Sequence, residues 1–158
     1  MREIASGKAQ IEIRRIAPGD AGLFGRVADG VFDESIDPSR LAAYLAEPEH
    51  LMLVALHDGE MVAQVAAVIH RHPDKPTELY IDEVGVAPVM QRRGIARRML
   101  DDMLALGRHL GCEEAWVGTE PHNLPARGLY ESHGVTAEPF VMYVLKLRIP
   151  TIAAGHSD

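Results

Sequence analysis

The stretch Gln91-Arg92-Arg93-Gly94-Ile95-Ala96 carries the residue types of an anion site. It follows a strand-like run that ends at Val86-Ala87-Pro88, and it precedes an amphipathic helical pattern. The start of a helix leaves several backbone N–H groups without intrahelical acceptors and carries the positive end of the helix dipole. Gly94 lets the backbone approach a ligand closely, Ala96 keeps the first turn slim, and Arg92 and Arg93 add positive charge. Together these suit a pyrophosphate. A basic loop capping a surface helix is the plainer reading, and the helix start by itself favours it.

Other reactive residue types are less patterned. There are eight histidines. His70 and His72 stand two apart at a strand end, with His57 within reach across a hairpin. No carboxylate–histidine helix motif accompanies them, so they read as a solvated loop and no metal is expected. Arg92, Arg93, Arg97 and Arg98 lack the interleaved aromatic residues of a nucleic-acid surface. Cys112 is the single cysteine, which excludes an intramolecular disulfide and a cysteine-built zinc cage; it reads as a small core residue.

These residues need elements to position them. Residues 10–16 alternate apolar and polar, as an edge strand does. Over 20–32, Phe24, Val27, Ala28 and Val31 fall on one helical face. Asp37-Pro38 is a second helix start, with Leu41, Tyr44 and Leu45 as the apolar face and Pro48 as the stop. Runs 50–57 and 61–69 flank Asp58-Gly59 and predict a hairpin. A polar loop over 70–76 leads to a strand over 78–86. A long helix follows over 94–110, with Ile95, Met99, Leu100, Met103, Leu104 and Leu110 as its stripe and Gly111 as its C-cap. A short strand over 115–118, a helix capped by Asn123 and stopped at Gly134, and a last strand over 140–147 complete the order. This succession predicts a mixed α/β fold with one central sheet.

At 158 residues the chain is read as one domain, with its core over about 10–147 and flexible ends over 1–9 and 150–158. Hydrophobic residues at 47% and charged residues at 25% exclude disorder as an overall description. Lys and Arg number 16 against 23 Asp and Glu, a net charge of −7. That balance disfavours nucleic acid and anionic membrane and suits a cationic substrate. No apolar leader is visible at Met1, and the longest apolar run, 61–69, is broken by Gln64 and too short to span a bilayer. A cytoplasmic location is expected; a homodimer is left open.

The run Gln91-Arg92-Arg93-Gly94-Ile95-Ala96 matches the Gln/Arg-x-x-Gly-x-Gly/Ala signature of the GNAT superfamily of acyl-CoA-dependent N-acetyltransferases. Further on, Asn123-Leu124-Pro125-Ala126-Arg127-Gly128-Leu129-Tyr130-Glu131-Ser132-His133-Gly134 resembles the Asn-x-x-Ala-x-x-Leu-Tyr-x-x-x-Gly signature of the same superfamily. The order and the intervening elements agree, and the resemblance covers about residues 10–147. The stretch 114–123 is most similar to the aminoglycoside N-acetyltransferase branch or its uncharacterised relatives.

The resemblance implies a mixed, mostly antiparallel sheet flanked by helices, with acetyl-CoA held as cosubstrate between two splayed strands, 78–86 and 115–119. The pantetheine arm would pair with the backbone near Val84 and Val86, and the pyrophosphate would take N–H groups from Gln91, Arg92, Arg93, Gly94, Ile95 and Ala96. Asn123 would contact the pantetheine or thiol region. Tyr130 would lie near the sulfur and protonate the departing thiolate, the two groups being matched in acidity. An amine must lose a proton to act as nucleophile, and Asp82 or Glu83 would accept it. The closer resemblance favours Glu83. Strand parity puts Asp82 on the face of Val84 and Val86, and a bulge near Gly85 would reverse that argument. Each carboxylate also reads as solvated or substrate-binding.

The function implied is direct acetyl transfer to a primary amine of a cationic small molecule, an aminoglycoside being the first choice. A peptide or protein amine, and a non-catalytic acyl-CoA-binding module, stay open. Acids in the segments thought to face the acceptor, among them Asp33, Glu34, Asp37, Glu47, Glu49 and Glu138, would receive a polyamine or aminosugar, or simply keep the surface soluble.

Overall fold

Asp58 and Gly59 have φ of 50° and 77°, the paired left-handed conformation of a two-residue hairpin turn. They join β2 (His50–His57) to β3 (Glu60–His70) in a computed structural model that describes residues 10–148. β1 (Glu12–Arg15) pairs antiparallel with the outer side of β2, and β4 (Glu78–Val86) pairs antiparallel with β3. β5 (Glu114–Val117) lies parallel to β4, so the chain must cross over between them, and α2 (Ile95–His109) makes that crossover. The sheet order is β1-β2-β3-β4-β5, and the mixed, mostly antiparallel sheet expected from the sequence is present.

β2 and β3 are buried along nearly their whole length, as their continuous apolar runs require. α2 buries Ile95, Met99, Leu100 and Met103 and leaves Leu104 and Leu110 half-covered at the margin. Its seat on the sheet is close: a Cβ at Gly107 would come within 2.8 Å of Leu79 Cδ2. α1 (Pro38–Leu45) is capped by Asp37, whose carboxylate accepts from Arg40 N at 2.9 Å. α3 (Leu124–Glu131) is capped by Asn123, whose side-chain oxygen accepts from Ala126 N at 3.3 Å. Both caps are where the sequence places them.

Two expected elements differ. The helix expected over 20–32 is only a short 3-10 turn, Ala21–Gly25. Its sequence holds Gly22, Gly25 and Gly30, which weaken a helix, and its backbone finds other partners. Met61 N–H donates to Arg26 O at 2.8 Å, and Ala28 N–H donates to Met61 O at 2.9 Å. Phe24 and Val31 are still buried, so an irregular chain covers what a helix was expected to cover. The strand expected over 140–147 does not form: residues 133–147 hold no helix or strand, and the apolar side chains over 140–147 are exposed. A β-pattern makes a strand only when a ladder partner is supplied, and none is paired with it here. The expected flexible ends, 1–9 and 150–158, lie outside the described residues.

Candidate active site

β4 and β5 part company midway. Their last matched residues are Ile81 and Val117, while β4 runs on to Val86. Consecutive strand residues turn their peptide groups to opposite edges. Ala87 N–H points to β3, donating to Val62 O at 2.9 Å, so the peptide groups of Val86 and Val84 turn to the edge that β5 has left. β4 thus runs on beyond β5 with an unpaired edge, in the region where the sequence reading expects the two strands to splay.

The loop beyond β4 is shaped by two left-handed residues, Arg92 with φ 62° and Gly94 with φ 75°. The Gln91 side-chain nitrogen donates to Val86 O at 3.2 Å and ties the loop to the strand end. α2 alone among the three α-helices has no side-chain N-cap. Its first intrahelical backbone bond runs from Arg98 N–H to Gly94 O, so the N–H groups of Ile95, Ala96 and Arg97 lack helical acceptors. A Cβ at Gly94 would meet nothing within 4 Å, so glycine is required by the backbone angle, and the space before the helix is open. Ile95 buries its side chain in the core and leaves only its backbone to the loop. Free donors, the positive end of a 15-residue helix and two exposed arginines fit an anion of pyrophosphate type.

The two carboxylates sit at a bulge. Glu83 is opposite Ala66 and Ile81 is opposite Ala67, which leaves Asp82 as the extra residue in β4. The bulge thus falls at Asp82 and not near Gly85, as the sequence reading had considered. By register Glu83 and Gly85 share the face of Ala66 and Gln64, and Val84 and Val86 occupy the other. At Gly85 a Cβ would collide with the Val31 carbonyl oxygen, so the irregular segment before α1 lies directly on this face. Gln64 is fully buried beneath it; its amide nitrogen donates to Val31 O at 3.3 Å, and its own oxygen has no protein partner.

Burial raises the Glu83 pKa first, the Asp33 and Asp82 charges add to this, and a hydrogen bond from Gln64 opposes it. Asp82 is also raised by burial, against its own backbone hydrogen bond and the charge of His50. Tyr44 completes the cluster. Its hydroxyl donates to Leu51 O at 3.3 Å, its ring stacks on His50 at 4.9 Å, and burial, then Asp82, then Glu83 push its pKa well up. Sequence reasoning placed Tyr44 on an apolar helix face and gave His50 no role. The available signal was Gln64, a polar residue interrupting an otherwise buried strand. Carboxylates whose pKa burial raises, with the Asp82 charge adding at Glu83, can accept a proton or hold a cation.

Tyr130 is not brought into this cluster. It is half-buried on α3 and packs against the core, and burial alone raises its pKa, with neither Asp82 nor Glu83 contributing. α3 is held to α2 by His133, whose Nε2 lies 2.7 Å from Asp101 Oδ1. Asn123 is exposed and uses its side-chain oxygen as the cap, leaving its NH2 group free. Cys112 is buried, and burial raises its thiol pKa, which makes it a poor nucleophile.

The histidine loop is exposed, as expected, apart from the half-buried His72. His72 Nε2 is 3.0 Å from Glu78 Oε2, and the His70 ring lies 4.2 Å from the His72 ring. Ligand atoms of His70, His72 and Glu78 fall within 4.8 Å of one another. His57 is at the opposite end of the hairpin, where it pairs with Glu60. Among the described residues no helix is long and apolar enough to cross a membrane.

Comparison with known proteins agrees with this geometry. Residues 23–135 match the acetyltransferase (GNAT) family. An uncharacterised N-acetyltransferase of Mycobacterium bovis is 28% identical over 102 residues, 65% of this chain and 63% of that protein. The chain therefore spans less than two thirds of that relative's length. An aminoglycoside acetyltransferase from an uncultured soil metagenomic sample superposes with a TM-score of 0.74 at 22% identity, covering 87% of this chain and 99% of the other. An aminoglycoside N-acetyltransferase solved in complex with CoA gives a TM-score of 0.69 at 19% identity, covering 87% and 95%. At these identities the structural likeness speaks for the fold.

Proposed function

The chain belongs to the acetyltransferase (GNAT) family, and on that premise we propose that it transfers an acetyl group from acetyl-CoA directly to a primary amine of a cationic small molecule, with an aminoglycoside as the first candidate. One observation carries this reading: β5 leaves β4 at Ile81, and the next two residues of β4 are Asp82 and Glu83. An open strand edge able to hold an extended acyl carrier therefore begins where two carboxylates with raised pKa stand.

In this reading the backbone N–H groups of the loop, from Gln91, Arg92 and Arg93 through Gly94, Ile95 and Ala96, take the diphosphate. Val84 and Val86 offer peptide groups along the open edge, and the free amide of Asn123 contacts the arm. The amine nitrogen attacks the thioester carbonyl, its C–N bond forms and the C–S bond breaks. Glu83, assisted by Asp82, accepts the ammonium proton, and Tyr130 gives a proton to the departing sulfur. Asp33, Asp82 and Glu83 form a negative cluster suited to a cationic acceptor. The reading places the reaction in the cytoplasm, supported by a single cysteine that forms no disulfide.

The test is a screen of aminoglycosides, polyamines and N-terminal peptides with acetyl-CoA, followed by release of free thiol. Thiol release with aminoglycosides is expected. Release with peptides alone would transfer the proposal to a peptide amine. No release from any amine, with acetyl-CoA still raising Tm, would leave a binding module without chemistry.

A further inference from the structure

His70 and Glu78 stand opposite one another in the pair of the β3–β4 ladder nearest the connecting loop. Residues paired across a ladder turn their side chains to the same face. His72 reaches the same spot from the loop. Its Nε2 lies 3.0 Å from Glu78 Oε2, and its ring centre is 4.2 Å from that of His70. One ligand atom from each of the three residues falls within 4.8 Å of the others. Spacing along the chain does not reveal this cluster, because strand register is what returns Glu78 to the two histidines.

The chemistry of the set is that of a transition-metal site. Two imidazoles and a carboxylate are one of the three-ligand sets by which proteins hold Zn2+ with water in the fourth position. Imidazole nitrogen favours Zn2+, Ni2+ or Cu2+ over Mg2+ and Ca2+, which prefer oxygen. With tetrahedral bonds of roughly 2.0–2.1 Å, neighbouring ligand atoms lie about 3.3 Å apart. His72 and Glu78 are already near that spacing, and the exposed His70 supplies the remaining closure by turning its ring. Glu78 is held ready as an anion. The His72 hydrogen bond lowers its pKa most, against a smaller effect of burial, and Trp116 on β5 adds a further hydrogen bond. The Trp116 ring is in turn stacked on Tyr80 at 4.0 Å. Ligating carboxylates are commonly oriented in this way by a donor that does not touch the metal. Arg71, the cation between the two histidines, is 3.4 Å from Glu49 Oε1, so its charge is paired elsewhere.

We propose that His70, His72 and Glu78 bind one divalent transition-metal ion of the Zn2+ class, water completing the tetrahedron, and that the ion staples the chain over 71–77 to the start of β4. The site shares no residue with the proposed acetyl-transfer machinery. Asp82 and Glu83 lie further along β4, past the end of its pairing with β5.

Trp116 is the single tryptophan, and its contact with Glu78 makes it the reporter. The test titrates the untagged, chelator-stripped full chain with zinc chloride and follows Trp116 emission and Tm. Saturation at one equivalent with micromolar affinity, a changed emission and a Tm that rises with zinc concentration are expected. His70→Ala and His72→Gln should each weaken binding on the order of 10-fold or more. His57→Ala, at the opposite end of the hairpin, should bind as the wild type does. Millimolar Mg2+ should leave the emission unchanged. Absence of saturable zinc binding overturns the proposal. So does zinc binding that leaves Trp116 emission unmoved, and so does undiminished affinity in a folded His70→Ala chain. Should His72→Gln fail to fold, His70→Ala, at an exposed position, decides.

Discussion

Ile81 and Val117 are the last residues that β4 and β5 share, and Asp82, the next residue of β4, is also the extra residue of its bulge with β3. Two irregularities of one strand thus coincide. The bulge re-aims the side chains around Asp82, and the parting of the strands frees the edge at Val84 and Val86.

The carboxylates are separable by pH. Glu83→Gln should lower turnover on the order of 10²-fold or more and abolish the acidic limb of the pH–rate profile. In the wild type that limb should lie above the ordinary carboxylate range, because burial, Asp33 and Asp82 all raise Glu83. Removing the Asp82 charge removes one of these causes, so in Asp82→Asn the limb should move to lower pH. A limb that stays put in Asp82→Asn would show that Glu83 does not set it.

Gly94 tests the anion loop. Its φ of 75° suits glycine, and a β-branched residue there is strained by roughly 1–2 kcal/mol. Gly94→Val should still fold, at lower Tm, and should lose the Tm increase that acetyl-CoA produces in the wild type. Gly94→Ala should lose less of it. Calorimetric titration of both variants checks the order.

The two tyrosines should behave differently. Tyr130→Phe should reduce kcat on the order of 10²-fold with acetyl-CoA affinity kept, as expected for a general acid. Tyr44→Phe should cost about 0.5–1.5 kcal/mol of stability through the lost bond to Leu51 O. Steady-state kinetics and denaturant unfolding on the same preparations distinguish the two roles.

Gln64 should support the fold through Val31 O as well as hydrogen-bond Glu83. Gln64→Leu leaves the Val31 carbonyl without its 3.3 Å partner and should destabilise the fold by about 1–3 kcal/mol. Gly85→Ala should be worse, because the new Cβ meets backbone that has no rotamer to change. Urea midpoints at constant slope measure both.

Charge attraction gives a further check. With a net charge of −7 and Asp33, Asp82 and Glu83 clustered, kcat/KM for a cationic acceptor should fall as ionic strength rises. A flat response would favour an uncharged or peptide acceptor.

Much of this was written locally. The hairpin turn at Asp58-Gly59, the caps at Asp37 and Asn123, the stripe of α2 and the glycine before it depend on contacts within a few residues, and local pattern sufficed to place them. The loop could be proposed as an anion site from local pattern, while Asp82 and Glu83 rest on the two-motif resemblance. Tertiary structure decided the rest. The bulge at Asp82 is visible only in the pairing with Ala66 and Ala67, and the end of the β4–β5 pairing at Ile81 and Val117 only in the assembled sheet. His50 joins the carboxylates through the β2 end of the sheet, and Tyr44 through the bond of its hydroxyl to Leu51 O, both far from β4 in sequence. Residues 20–32 show the helical spacing of apolar residues, yet backbone bonds to Met61 and buried positions for Phe24 and Val31 gave that segment another shape. Periodicity records which side chains seek burial; long-range pairing of backbone groups determines the conformation in which they reach it.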